Sequence, residues 1–160
     1  MNGYEIEPPR ASEVAMRLIR NTLWQRLPKK SFVSGLWLRE YENTDLWPNL
    51  FLHVLPIKGY PCFKYFFGNI ILVSPGERGL WLEGTEEERI SYALDLEEKN
   101  GGKSTADWKA MKDLEADLKE LYKKHFPITY RGIVNHRYSF AEQQAIISNL
   151  NKNFWQGFKK

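Results

Sequence analysis

The sequence predicts an α+β fold: one N-terminal helix, a four- to five-stranded, mostly antiparallel sheet, then a helical hairpin and a C-terminal helix packed on one face. Two observations predict it. Apolar residues recur at helical spacing in the first third and in the second half of the chain. Between residues 31 and 84, β-branched and aromatic residues dominate and are interrupted by Gly and Pro, which is typical of strands and turns. The connections there are short, which favours antiparallel neighbours.

The first helix is predicted to begin at Ser12 and to end before Pro28, which cannot continue a helix. Its predicted core-facing positions are Ala15, Leu18, Ile19, Thr22 and Leu23. The opposite face carries Arg17, Arg20 and Trp24 at spacings that place the three side chains on one ridge. Because Arg and Trp are enriched in binding hot spots, this ridge is a candidate for protein binding.

The middle of the chain predicts the strands of the sheet. Strong turn sequences separate them at residues 42–45 and 74–79. The predicted strands cover 32–41, 50–55, 63–67 with 69–73, and 80–83. Trp37 and Trp81 lie in these strands, so a sheet face turned away from the helices would present them to a partner.

Capping boxes predict the later helices. Thr85-x-x-Glu88 opens one that ends near Lys99, before a pair of glycines, and Ser139-x-x-Glu142 opens the last one. Between them, Ser104-x-x-Asp107 opens a helix that ends before Pro127, and residues 128–134 are predicted as a short strand.

Composition predicts a single α+β domain over residues 1–160. The chain has 42% hydrophobic and 27% charged residues and a net charge of +3. Its polar first ten residues do not resemble a signal peptide, and its apolar runs are too short for a bilayer, so no membrane is predicted. Cys62 is the only cysteine and is predicted to be a free thiol in a cytoplasmic setting. The oligomeric state is left open.

No catalytic, metal or cofactor site is predicted. The potential metal ligands are His53, Cys62, His125 and His136, and none lies within four residues of another. Cys62 is followed by aromatic residues, with Lys64 as the nearby cation, which does not indicate an activated thiolate.

Arg131 and His136 are separated by four residues. This spacing resembles the R-x4-His motif of an all-helical family of nucleotide-binding ribonucleases. The resemblance covers six residues, and the predicted sheet contradicts the helical fold of that family. It supports only a nuclease-like enzyme without a recognisable motif as a second alternative.

The leading function predicted is a stoichiometric protein-binding module of the inhibitor, immunity-protein, chaperone or adaptor kind, with no catalytic activity of its own. Its candidate protein-binding residues are Arg17, Arg20, Trp24, Trp37 and Trp81. The first alternative is nucleic-acid binding by segment 130–160, because residues 126–160 hold five Lys/Arg and one Asp/Glu, and cations and rings suit phosphates and bases. Its candidate residues are Tyr130, Arg131, His136, Arg137, Tyr138 and Lys152.

Overall fold

The chain is mostly helical. A computed structural model describes residues 9–99, 101, 108–126 and 139–157, and 69% of these residues are in helices. The described residues form five α-helices: α1 (Pro9–Arg26), α2 (Pro75–Glu83), α3 (Glu86–Lys99), α4 (Trp108–His125) and α5 (Phe140–Gly157). The two strands, β1 (Phe51–His53) and β2 (Ile70–Leu72), form an antiparallel pair. None of the described helices is long and apolar enough to cross a membrane.

The predicted α+β fold with a four- to five-stranded sheet is therefore wrong. In the described residues the sheet has two strands, each three residues long. Of the predicted strands that the structure describes, only parts of 50–55 and 69–73 form strands of the sheet. The predicted strand at 128–134 lies outside the described residues.

One predicted strand is a helix because a capping box lies in front of it. Residues 74–79 were interpreted as a turn and 80–83 as a strand, yet residues 75–83 form α2. The Ser74 hydroxyl accepts from Glu77 N, the Glu77 carboxylate accepts from Ser74 N, and Pro75 occupies the first turn. These three residues satisfy the free N–H groups of a helix start, which outweighs the turn tendency of Pro-Gly.

Two further predicted strands are loops because local hydrogen bonds replace strand pairing. The segment 32–41 contains a tight turn at Gly35, with φ +76°, and then a 3-10 helix at Arg39–Tyr41. The segment 61–69 contains 3-10 helices at Pro61–Phe63 and Phe67–Asn69. In the second segment Phe63, Tyr65 and Phe66 are buried, and the same aromatic character made the segment resemble a strand.

Helices are found where the amphipathic patterns predicted them. Thr85 and Glu88 form the capping box in front of α3, and Ser139 and Glu142 form the one in front of α5. The start predicted for α4, Ser104, lies outside the described residues.

The chain forms two compact units. Among the described residues, unit 1 comprises 9–25, 53–69, 115–126 and 139–157, and unit 2 comprises 26–52, 70–99, 101 and 108–114. The single domain over 1–160 stays a prediction.

Unit 1 has an aromatic core. The ring centroid of Phe63 lies 4.8 Å from that of Tyr122 and 6.1 Å from that of Phe126, and both pairs of rings are edge to face. Asn69 is fully buried, and its amide hydrogen-bonds both backbone groups of Leu55. These bonds fix the polar backbone of a loop against an apolar interior.

The core of unit 2 is aliphatic around one buried carboxylate. Leu38, Leu50 and Val73 are at most 1% exposed, and Val73 N donates to Leu50 O at 2.8 Å. Glu77 is 1% exposed and accepts from the hydroxyl of Ser31 at 2.6 Å. Unit 2 thus ties the start of α2 to a distant loop by a buried hydrogen bond.

Candidate protein-binding surface

Residues 29–39 of unit 2 form a small hairpin, called here the Trp37 loop. Leu38 N donates to Lys29 O at 2.9 Å, and Lys30 and Trp37 form an isolated antiparallel bridge. A bridged pair has its side chains on the same side of the hairpin. The fold therefore places a lysine next to a tryptophan seven positions along the chain.

The hydroxyl of Ser31 holds this loop in one conformation. It accepts from Val33 N and Ser34 N, each at 3.1 Å, and donates to the Glu77 carboxylate. Gly35 takes the left-handed backbone needed to reverse the chain, and its N–H donates to Ser31 O. The turn is thus fixed from inside the unit by groups that are themselves buried.

The Trp37 loop presents two aromatic rings outward. Phe32 is 42% exposed and Trp37 is 57% exposed, while Val33 and Leu38 are buried. Phe32 N also donates to Leu72 O of β2 at 2.7 Å, which joins the loop to the sheet. The two rings therefore lie at the surface, while the buried side chains of Val33 and Leu38 anchor the loop.

Two cations lie close to the exposed indole. Lys30 Nζ lies 4.6 Å and Arg39 Cζ lies 5.4 Å from the centroid of the Trp37 ring, both within cation–π range. Both cationic side chains are themselves exposed. The surface offered is an apolar ring beside two positive charges, which complements a carboxylate next to an apolar patch.

The other two predicted tryptophans belong to the cores. Trp24 of unit 1 is 6% exposed and Trp81 of unit 2 is 8% exposed. Trp81 lies on α2, where the Arg89 guanidinium covers its ring at 4.6 Å and Arg89 Nε donates to Leu80 O. Neither indole is available to a partner in this structure.

The arginines of the predicted ridge lie close together on α1. Arg17 is exposed and Arg20 is half-buried, and burial followed by the charge of Arg17 lowers the pKa of Arg20. The outer face of the helix next to Arg17 carries Val14 and Leu18, which are 59% and 66% exposed. Leu18 was predicted to face the core. The ridge thus consists of arginines and aliphatic side chains, with Trp24 turned inward.

Most of the residues predicted to bind nucleic acid fall outside the part of the chain that the structure describes. Tyr130, Arg131, His136, Arg137 and Tyr138 lie outside the described residues, while Lys152 is exposed on α5. The motif of Arg131 and His136 is therefore also outside them.

Sequence reasoning missed Lys30, Phe32 and Arg39 as members of the surface. The hairpin that pairs Lys30 with Trp37 is centred between Val33 and Ser34, and Gly35 takes the left-handed backbone of its turn, so the glycine was the available signal. The interpretation of residues 32–41 as one long strand concealed this hairpin.

Comparisons of this chain with protein-family models, curated proteins and solved structures found no match.

Proposed function

We propose that the chain is a stoichiometric protein-binding module that recognises an acidic surface of its partner through the Trp37 loop. The observation that carries the proposal is an indole that is 57% exposed, has two cations within 5.4 Å of its ring centroid and lies on a loop fixed by buried hydrogen bonds. Trp and Arg are the side chains most enriched in binding hot spots. A fixed loop loses little conformational entropy when it binds, which favours affinity.

The expected partner has an acidic group beside an apolar patch. Lys30 and Arg39 would pair with its carboxylates at the rim, and Trp37 would be buried at the centre. Rim charges mainly speed association and are screened by salt. Binding should therefore weaken as ionic strength rises. The single, free Cys62 also supports a reducing, cytoplasmic setting as part of the proposal.

The test compares capture and affinity between variants. The tagged wild-type chain, Trp37→Ala and the double variant Lys30→Glu/Arg39→Glu are used to isolate a partner from the native host. Leu94→Ala is the matched control, because Leu94 is 60% exposed and also lies in unit 2. The purified partner is then titrated by calorimetry against all four chains.

We expect one-to-one binding that Trp37→Ala weakens by about 2 kcal/mol, the scale of a hot spot. Leu94→Ala should leave it unchanged. If a one-to-one partner binds Trp37→Ala and the double charge variant as tightly as the wild type, the loop is not the binding surface. Leu18→Glu then tests the outer face of α1, where an exposed leucine lies next to Arg17.

Nucleic-acid binding by segment 130–160 remains the alternative proposal. Lys152, exposed on α5, is the one candidate residue within the described part of the chain. Fluorescence anisotropy with a single-stranded oligonucleotide tests it. Affinity that falls steeply with salt and is lost on changing Arg131, Arg137 and Lys152 to Glu would favour this alternative over protein binding.

A further inference from the structure

Unit 1 contains an open cleft between the last turns of α4 and the middle of α5. Its volume is about 490 Å³, within the range of small-molecule sites. Phe66 and Leu150, both buried, are part of its apolar lining, and Leu121 and Phe154 extend it. A cleft of this kind is large enough for an aliphatic chain or a single ring system.

The polar groups of the cleft come from its two helices. Lys124 and His125 contribute from α4, and Asn149 and Asn153 contribute from α5, where their spacing puts them on one face. The described residues that line the cleft include no carboxylate. The polar side of the cleft therefore carries a positive charge and amide donors.

Lys124 differs from the lysines around it. Lys119 is 2.9 Å from Glu115, and Lys123 is 3.5 Å from Glu120. Within the described part of the chain, Lys124 has no such ion pair, although it lines the cleft. Its ammonium group is thus available to a negatively charged ligand.

The imidazole of His125 completes the polar side. Burial, followed by the charge of Lys124, lowers the pKa of His125 below its usual value. The ring is therefore neutral at neutral pH, so one nitrogen donates and the other accepts. It adds a hydrogen bond without a second positive charge.

We propose that this cleft binds a small amphipathic carboxylic acid, with its apolar part on Phe66, Leu150 and Phe154 and its carboxylate at Lys124. Two properties of the cleft favour this class of ligand. Its apolar lining and its volume suit an aliphatic chain or a ring system. Its lysine, with no carboxylate in the described lining, favours a negatively charged head group. The cleft belongs to unit 1 and the Trp37 loop to unit 2, so either proposal can fail without the other.

The test uses three probes with the same apolar chain: octanoate, 1-octanol and octylammonium. Each is titrated into the full chain while amide NMR spectra are recorded, including the side-chain amides of Asn149 and Asn153. We expect octanoate to shift these signals and to bind about fivefold more tightly than octanol, the effect of one partly exposed charge pair. Octylammonium should bind more weakly than either.

Three variants locate the effect. Lys124→Gln should remove the preference for octanoate over octanol, and Lys123→Gln, the neighbouring lysine paired with Glu120, should keep it. Ile146→Trp, which places a larger side chain in the lining, should abolish binding of all three probes. Circular dichroism confirms that each variant is folded, and Ile146→Phe replaces Ile146→Trp if that variant is not.

Several results would overturn the proposal. Equal binding of octanoate and octanol, or stronger binding of octylammonium, contradicts the predicted negative head group. A preference for octanoate that survives in Lys124→Gln contradicts the role of that lysine. No shift of Asn149 or Asn153 with any probe, or shifts that persist in a folded cleft-filling variant, shows that the cleft is not the binding site.

Discussion

The hydroxyl of Ser31 donates to Oε1 of Glu77 across 46 residues of sequence, at 2.6 Å. Both residues are buried, at 4% and 1% exposure. The same carboxylate oxygen accepts from Ser74 N at 2.7 Å, so Glu77 caps α2 and anchors the Trp37 loop at once. Its other oxygen is buried and has no hydrogen-bond partner within the described residues. A buried polar group of this kind is costly to leave half paired.

Glu77→Ala should therefore destabilise the chain strongly. It removes the capping box of α2 and leaves the buried hydroxyl of Ser31 and N–H of Ser74 without their acceptor. The combined loss is about 3 kcal/mol, from one helix cap and one buried hydrogen bond. Urea unfolding measures it, with Glu83→Ala at the exposed end of α2 as the control. A loss below about 0.5 kcal/mol, the scale of a surface substitution, would show that the network is not important for stability.

Gly35→Ala isolates the backbone of the Trp37 loop. Gly35 has φ +76°, and a Cβ added there meets nothing within 4 Å, so the left-handed backbone is the only cost. We expect a loss of about 1–2 kcal/mol in the free energy of unfolding. Gly59→Ala is the matched control, because its added Cβ also meets open space and its φ is ordinary. Equal stabilities of the two variants in urea would contradict this account of the turn.

The capping sequences show how much of the fold was predictable. Thr85-x-x-Glu88 and Ser139-x-x-Glu142 were interpreted correctly, since each precedes a long amphipathic pattern. Ser74-x-x-Glu77 has the same form and was missed, because Pro-Gly inside it indicated a turn and the helix that follows is only nine residues long. In a short helix the periodic signal is weak, so tertiary contacts of the cap decide the structure.

The surface was harder to predict than the helices. Whether a tryptophan is buried or exposed depends on which face of its helix or strand packs against the core. If the type of element is predicted wrongly, its buried and exposed positions are predicted wrongly as well. On α1, Trp24 is buried and Leu18 is exposed, the reverse of the predicted pattern. Trp81 was placed in a strand and lies instead on the buried side of α2. Trp37 is exposed because a hairpin, and not a sheet, presents it.

Cys62 should react slowly with thiol reagents in the folded chain. It is 5% exposed, and burial raises the pKa of its thiol. Both burial and the smaller thiolate fraction slow the reaction. At about pH 8 a disulfide reagent should therefore modify the urea-unfolded chain far faster than the folded one. Similar rates in the two states would show that the thiol is accessible.

His125 should titrate below the usual histidine value of about 6.5. Burial is the first cause and the charge of Lys124 the second, so Lys124→Gln should raise the pKa of His125 without restoring the full value. Because folding lowers its pKa, His125 binds a proton at a higher pH in the unfolded chain than in the folded one. The contribution of His125 to folding is therefore constant above about pH 6.5 and falls as the pH drops toward the folded pKa. NMR titration of the imidazole signals, which are assigned with the variant His125→Gln, measures the pKa of His125 in the wild type and in Lys124→Gln. A pKa unchanged by Lys124→Gln would exclude the lysine as a cause.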